Sequence, residues 1–259
     1  MHPIIYGHTG VVGAQLYRWL VQKGVEVSGV SLDRLDGPAY SEPDWIFLCL
    51  PTPTIDGKQD ISALTDVLAT YDGNAVNVVI RSTVLPGTCD RLQKEHPEWL
   101  VFHWPEFLTA RDAWHGFIFP KARIIGGDRE TWADVWEDLM PSKHIPTTYV
   151  SLSTAEIIKY AHNLHGVIQV IYANLLFDAV WKVAANWVDV QEGLCELGYI
   201  TPDIILSYWD VFKDGYRGFG GNCFPKDLAA FTGWMHEAGL PVELLDAAQQ
   251  ANERLLRDR

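Results

Sequence analysis

The chain has 259 residues, enough to bury a core without disulfide staples, and its 48% hydrophobic and 20% charged residues exclude a disordered or fibrous protein. Asp and Glu outnumber Lys and Arg 33 to 20, for a formal net charge of −13. A protein that grips nucleic acid needs a basic face for the phosphates, and no Lys/Arg cluster occurs, so nucleic acid is not an expected partner.

Pro3–Tyr6 is a short apolar run that predicts a strand, and Val11–Lys23 has helical spacing. Between them lies Gly7-His8-Thr9-Gly10-Val11-Val12-Gly13, a strand-to-helix turn with GxxGxxG spacing. Glycines let a backbone approach a pyrophosphate, and a helix N-terminus presents N–H groups to it; an ordinary turn has the same context. Val25–Val30 predicts a second strand. Dinucleotide folds place an acid about 20 residues past the glycines to hold the ribose hydroxyls. Ser31 stands there, with Asp33 two residues on. Ser31 with Arg34 would instead suit a 2′-phosphate, so NAD and NADP both remain open.

Trp45–Leu50, Val76–Ile80 and Leu100–His103 continue as third, fourth and fifth strands, with Arg123–Ile125 and Thr147–Val150 after them. Strands alternating with helices predict an α/β fold, a Rossmann-type doubly wound parallel sheet, over residues 1–150. Such sheets bind ligands beyond the carboxyl ends of their strands. Thr83 follows the fourth strand and Glu106 the fifth. Glu106 is therefore a candidate general base, although a lone loop Glu is commonly solvated.

The pattern changes after Val150. Ser153-x-x-Glu156 is a capping-box spacing. Ile157, Ala161, Leu164, Ile168, Ile171, Leu175, Ala179 and Val183 then recur every three or four positions. They predict a helix of about 30 residues, roughly 45 Å long. Its apolar residues exceed one stripe, so it reads as a spine buried against several neighbours and as a dimer surface. Glu156, Lys159, Asn163, Asp178 and Lys182 interrupt it, which weakens a membrane-spanning reading, and no membrane is expected.

Lys159 and Asn163 stand at i and i+4 and share a face. Buried, they need partners or a ligand; exposed, they form a solvated stripe. Residues 187–259 read as mostly helical, so a helical domain is expected over 151–259. Within it runs Gly218-Phe219-Gly220-Gly221-Asn222-Cys223-Phe224-Pro225-Lys226-Asp227. Pro225 suits a first helical turn, which places Cys223 at a helix N-terminus beside Lys226. Both features favour a thiolate and a nucleophilic role; a small buried thiol is the alternative.

His162 and His165 have no acid or thiol at ligand spacing. Cys49, Cys89, Cys195 and Cys223 form no CxxC, so no metal is expected. The start MHPIIYGHTG has no signal-peptide layout, and so few cysteines fit a reducing compartment. The expected location is the cytoplasm.

Taken in order, these segments resemble the UDP-glucose/GDP-mannose dehydrogenase family. The resemblance rests on the Gly7–Gly13 loop, Pro51-Thr52-Pro53 with Asp56-Gly57, Ser82-Thr83-Val84-Leu85-Pro86-Gly87-Thr88 and Pro105-Glu106-Phe107-Leu108. It continues through Arg123–Gly127, Thr154-Ala155-Glu156 with Lys159 and Asn163, the Gly220–Asp227 block, Leu244-Leu245 and Asn252-Glu253.

The resemblance implies four-electron oxidation of a sugar CH₂OH to a carboxylate with two NAD molecules in turn, on a nucleotide sugar, most simply a UDP-sugar. It assigns NAD to Gly7, Thr9, Gly10, Val11, Val12, Gly13, Ser31, Asp33, Arg34, Pro51, Thr52, Pro53, Ser82 and Thr83. It assigns substrate to Phe107, Leu108, Lys159, Asn163, Phe219, Gly220, Gly221 and Lys226. Cys223 would capture the aldehyde as a thiohemiacetal that is oxidised to a thioester. Lys159 and Asn163 would stabilise the oxyanion, Asp227 and Thr83 would position water, and Glu106 would help activate it. A homodimer through the long helix is the expected assembly.

Several residues depart from that pattern. The glycine loop is one residue longer, Ser31 replaces the ribose acid, and Leu32–Asp44 is short. Ala110 and Arg111 stand where Glu-Gly is usual. The family's arginine segment is not clear in Ile204–Tyr216. Family chains continue into a second α/β domain, and the sequence ends at Arg259 before it. The expectation is a short form, with that surface supplied by another chain or made unnecessary by a smaller substrate, or else a fragment. Two other readings stay open: a two-electron dehydrogenase of a smaller hydroxy acid, and a non-catalytic nucleotide-binding homologue.

Overall fold

The computed structural model describes residues 1–257; the last two residues of the expected helical domain lie outside them. Two compact units are present. The first comprises Met1–Ile55 and Gln59–Lys159, the second Asp56–Lys58 and the chain from Tyr160 onward.

The strands are β1 (Pro3–Tyr6), β2 (Ser28–Ser31), β3 (Arg34–Asp36), β4 (Trp45–Leu48), β5 (Thr54–Ile55), β6 (Lys58–Gln59), β7 (Asn77–Ile80), β8 (Leu100–His103), β9 (Arg123–Gly126) and β10 (Thr147–Val150). The helices before β10 are α1 (Val11–Gln22), α2 (Ser62–Leu68), α3 (Thr88–Glu95), α4 (Ala113–Ile118) and α5 (Arg129–Trp132). In the first unit, eight strands form one sheet in the order β10-β9-β8-β7-β4-β1-β2-β3. The chain winds outward in both directions from the β1/β4 pair, the switch point beside which doubly wound sheets hold ligands.

Two pairings depart from the expected all-parallel sheet: β2–β3 and β8–β9 are antiparallel. β3 was not expected. It returns beside β2 after a tight turn at Leu32-Asp33, and its polar sequence carries no apolar alternation. β2 starts at Ser28 rather than Val25. Its partner β1 offers it only Ile4–Tyr6, because Pro3 has no N–H for the ladder.

The core lies on both faces of the sheet. Trp45 and Phe47 point to one face, where they pack with Leu16 and Leu20 of α1 and with Trp132 and Trp136. Ile46 and Leu48 point to the other, against Leu64, Leu68, Leu92 and Trp99. This period-two alternation with both faces buried is why β4 reads as a continuous apolar run.

The remaining helices are α6 (Leu152–Lys182), α7 (Trp187–Glu196), α8 (Pro202–Ile204), α9 (Phe224–Glu237) and α10 (Glu243–Arg257). α6 is unbroken over 31 residues; its first turns count with the first unit and the rest with the second. The expected Ser153/Glu156 capping box does not form. The hydroxyl of Ser151 caps the helix by accepting from Thr154 N at 3.2 Å, and Glu156 is turned elsewhere.

In the second unit, Val167 of α6 packs with Phe219, Leu228, Leu245 and Ala248, and Ala173 packs with Trp209 and Val211. Tyr172, Leu175 and Trp181 of the same helix are exposed. By length and composition α6 would also suffice to cross a membrane, a property it shares with core helices of water-soluble folds.

Candidate active site

The glycine loop sits at the switch point of the first unit. Gly7 has φ +81°, and a Cβ there would lie 2.3 Å from the carbonyl oxygen of Cys49 at the end of β4. A Cβ on Gly13 would lie 2.3 Å from the Gly7 carbonyl oxygen. Both positions therefore require glycine, and helix α1 is drawn tight against the strand end. Gly10 is the N-cap, with no side-chain cap. Thr9, Gly10 and Val11 are exposed and Val12 is half-buried. This cradle of backbone at a helix N-terminus fits the pyrophosphate of a dinucleotide.

On the ribose side, Ser31 is half-buried at the end of β2, while Asp33 and Arg34 are exposed. Arg34 Nε bonds Asp36 at 2.7 Å, and His8 Nε2 lies 2.8 Å from the same carboxylate. The guanidinium, then the imidazole, hold the Asp36 carboxyl below the usual carboxylate range. His8 is buried, with its ring over Gly29, where a Cβ would be 2.4 Å from it. Sequence reasoning missed the His8–Asp36 pair. The extra residue in the glycine loop was its only trace.

Beyond the neighbouring strands, Pro51 and Pro53 are exposed, and Thr52 Oγ1 donates to the Thr83 carbonyl oxygen at 2.8 Å. The Ser82 hydroxyl is committed to the backbone of Leu48 and Leu50. Thr83 is half-buried. The following loop is held by Glu156, whose carboxylate accepts from Gly87 N at 2.6 Å and Cys89 N at 2.7 Å. Burial raises the Glu156 carboxyl above its ordinary range, and the bonds from Cys89 and Gly87 pull it part of the way back.

Lys159 and Glu106 meet in the same unit. Lys159 Nζ donates to the Glu106 carbonyl oxygen at 2.6 Å and lies 3.5 Å from Oε1, with both side chains largely buried. Glu106 Oε2 accepts from Leu108 N at 2.7 Å. The Phe107 ring is 5.4 Å from the ammonium, while Leu108 packs on the core. Arg81 is buried with its guanidinium 3.7 Å over Trp104. Burial lowers its pKa, pushes the Cys49 thiol up to about 12 and depresses His103 to about 3. Lys159 and Glu106 thus place an ammonium and a carboxyl group together at the strand-end edge of this unit.

In the second unit, Cys223 is the exposed N-cap of α9, with Pro225 in the first turn, as the motif predicted. Asp227 is buried one turn in. It accepts from Asn163 Nδ2 at 2.5 Å and pairs with Lys226. Phe219 is buried as a core plug, Gly220 lies against the Tyr216 hydroxyl, and Gly221 is exposed.

An open cavity of about 700 Å³ in the first unit contains none of the predicted residues. Along its walls Lys143 pairs with Asp138 and the Tyr149 hydroxyl donates to Glu137, while Arg123 donates to the Pro141 carbonyl oxygen and the Arg129 guanidinium lies 5.1 Å from the centroid of the Tyr149 ring. Among the described residues one potential metal-ligand group occurs, Asp72, His96 and Glu98, which the sequence reading had not selected.

Residues 21–142 match the NAD-binding domain of the UDP-glucose/GDP-mannose dehydrogenase family, and residues 153–254 match its central domain. The chain belongs to this family. Its glycine loop precedes the matched segment. Among family relatives, the chain is 30% identical to UDP-glucose 6-dehydrogenase of Rhizobium meliloti over 85% of its own length and 52% of the relative's. It is 28% identical to the UDP-glucose 6-dehydrogenase TuaD of Bacillus subtilis, over 91% and 52%. It is 26% identical to GDP-mannose 6-dehydrogenase of Pseudomonas aeruginosa, over 90% and 58%. The chain thus spans about half the length of these relatives.

The fold is shared with a UDP-glucose dehydrogenase from Pyrobaculum islandicum, with a TM-score of 0.80 and 23% identity over 98% of this chain and 68% of that one. It is shared also with a 3-hydroxyisobutyrate dehydrogenase from Mycobacterium tuberculosis, with a TM-score of 0.76 and 15% identity over 99% and 94%.

Proposed function

We propose that this protein oxidises the primary alcohol of a nucleotide sugar, a UDP-sugar, to the carboxylate through a covalent intermediate on Cys223. The observation that carries the reading is the second unit's constellation: an exposed thiol at the N-cap of α9, one turn from a buried Asp227 held by Asn163 and Lys226. A helix N-terminus and a nearby ammonium both favour the thiolate that attacks a carbonyl.

The first unit's glycine cradle would hold the pyrophosphate of NAD, with Ser31 and Asp33 offered to the ribose. NAD, when bound, supplies a hydride acceptor, and two molecules in turn remove four electrons. Cys223 Sγ adds to the aldehyde carbon, giving a thiohemiacetal whose oxidation leaves a thioester. Lys159 and Asn163 donate to the carbonyl oxygen as charge develops on it. Thr83 and Asp227 position water, and Glu106 accepts its proton as the thioester is hydrolysed.

Exposed Tyr172, Leu175 and Trp181 on α6 support a homodimer through that helix. Four cysteines present as thiols support a cytoplasmic location.

The test is NADH absorbance with a panel of UDP- and GDP-sugars, followed by product analysis. Two NADH per sugar and a carboxylate product are expected. Cys223→Ser should stall before carboxylate release. A Cys223→Ser protein of unchanged turnover would favour the two-electron hydroxy-acid reading. Absence of both turnover and cofactor binding would favour a non-catalytic one.

A further inference from the structure

The loop that ends in Cys223 is tied to two helices of the second unit by side chains that the proposed chemistry does not use. Asn252 of α10 is buried, and its amide clasps a single residue of the loop. Oδ1 accepts from Phe219 N at 2.7 Å, and Nδ2 donates to the Phe219 carbonyl oxygen at 2.9 Å. The approach is close enough that a Cβ on Gly218 (φ +84°) would lie 2.5 Å from Asn252 Oδ1. The Phe219 side chain is at the same time sunk among Val167, Leu228, Leu245 and Ala248.

The second tie is Arg217. Its Nε donates to Asn174 Oδ1 at 2.9 Å and Nη2 to the Asn174 carbonyl oxygen at 3.0 Å, while Nη1 pairs with Asp178 at 2.7 Å. Asn174 is itself buried in α6, and its Nδ2 donates to the Val170 carbonyl oxygen at 2.9 Å, so the anchor for the arginine fork is fixed. A planar guanidinium that spends all three nitrogens on two residues of one helix face fixes direction as well as distance.

A surface loop can satisfy its backbone with water and needs neither device. Committing a buried amide and a partly exposed arginine fork to hold two consecutive stretches of one loop makes sense where the next residues must keep a set position. Those residues are Gly220–Cys223, which deliver the thiol to the N-terminus of α9.

We propose that Asn252 and Arg217 are positioning residues for Cys223, holding the glycine-rich loop so that the thiol stays at the α9 N-terminus. This rests on the reading of Cys223 as the nucleophile and extends it to two residues to which the proposed chemistry gives no role.

The test is the rate of iodoacetamide alkylation of Cys223 in the full chain, read by mass spectrometry against Cys195 in the same sample. The comparison covers the unchanged protein, Asn252→Ala, Arg217→Met and Arg217→Lys. A thiol released from a helix N-terminus loses much of its thiolate at neutral pH, so the Cys223/Cys195 ratio should fall about tenfold in Asn252→Ala and Arg217→Met. Arg217→Lys, which can still reach Asp178, should recover part of the loss.

Should Asn252→Ala not fold, the partly exposed Arg217 decides the matter alone. A ratio within about twofold of the unchanged protein, or a higher one, in a variant with unaltered circular dichroism overturns the proposal. Sugar oxidation is measured separately. Inert sugars with a fallen ratio would sink only the proposed reaction, and turnover with an unmoved ratio only the positioning role.

Discussion

Replacing Glu156 by Ala tests how the strand-end loops of the first unit are held. The carboxylate is fully buried and joins α6 to the start of α3 through Gly87 N and Cys89 N. Removal affects the two amides differently. Cys89 is fully buried, so its N–H is stranded, at a cost of about 1–3 kcal/mol. Gly87 is exposed and can recover water, so only the net value of a bond to a charged acceptor is lost there, about 1.5 kcal/mol. Against this stands the relief of a buried carboxylate, whose raised pKa records that burial disfavours its charge. The balance is a loss of about 2 kcal/mol. For a unit of this size that lowers Tm by about 4–8 °C, to be followed by circular dichroism. Glu156→Gln keeps one acceptor oxygen and should fall between the two. Amide exchange adds a local check: Cys89 N–H should lose protection in Glu156→Ala beyond its neighbours in α3. A Tm change under about 2 °C, or unchanged exchange at Cys89, would show that the clasp is not what holds this loop.

Lys159→Met should lower kcat on the nucleotide sugar by about 10²–10³ if the ammonium stabilises the developing oxyanion, and undiminished turnover would contradict that role. Asp36 has its carboxyl held low by Arg34 and His8. A depressed native pKa gives stability that is present above the ordinary carboxylate value and lost as pH falls through the native one. Asp36→Asn should therefore flatten the acid limb of stability below about pH 4 in urea titrations across pH, and parallel curves would refute it. Leu175→Arg places a charge in the exposed apolar stretch of α6. It should convert the expected dimer to monomer by sedimentation without loss of helix content, and an unmoved mass would place the interface elsewhere.

Much of the first unit was legible because its strands are buried on both faces. Pro3–Tyr6 and Leu100–His103 were bounded correctly from apolar runs, the half-buried edge strand Thr147–Val150 was bounded correctly without one, and the long helix was visible in its spacing. The returning strand Arg34–Asp36 was not, since it is polar and its partner is chosen by the turn. Glu156 was misassigned for a related reason. The nearby Ser153 offered a local partner, but the carboxylate bonds amides 67 and 69 residues away, which no window of sequence displays. Within the candidate site, Pro225 correctly foretold Cys223 at a helix start, and Lys159 with Asn163 stood out as polar groups in an apolar helix. His8, Asp36, Arg217 and Asn174 were silent because each matters through a partner distant in sequence.

The indoles give each unit its own optical signature. In the first, Trp45 and Trp136 meet edge to face with centroids 5.2 Å apart, with Trp132 alongside. In the second, Trp187 and Trp209 lie nearly parallel at 5.6 Å. Couplings of such different geometry produce distinct exciton bands, so heating the protein in a dichrograph would show whether the two halves melt together or in sequence, with no label attached.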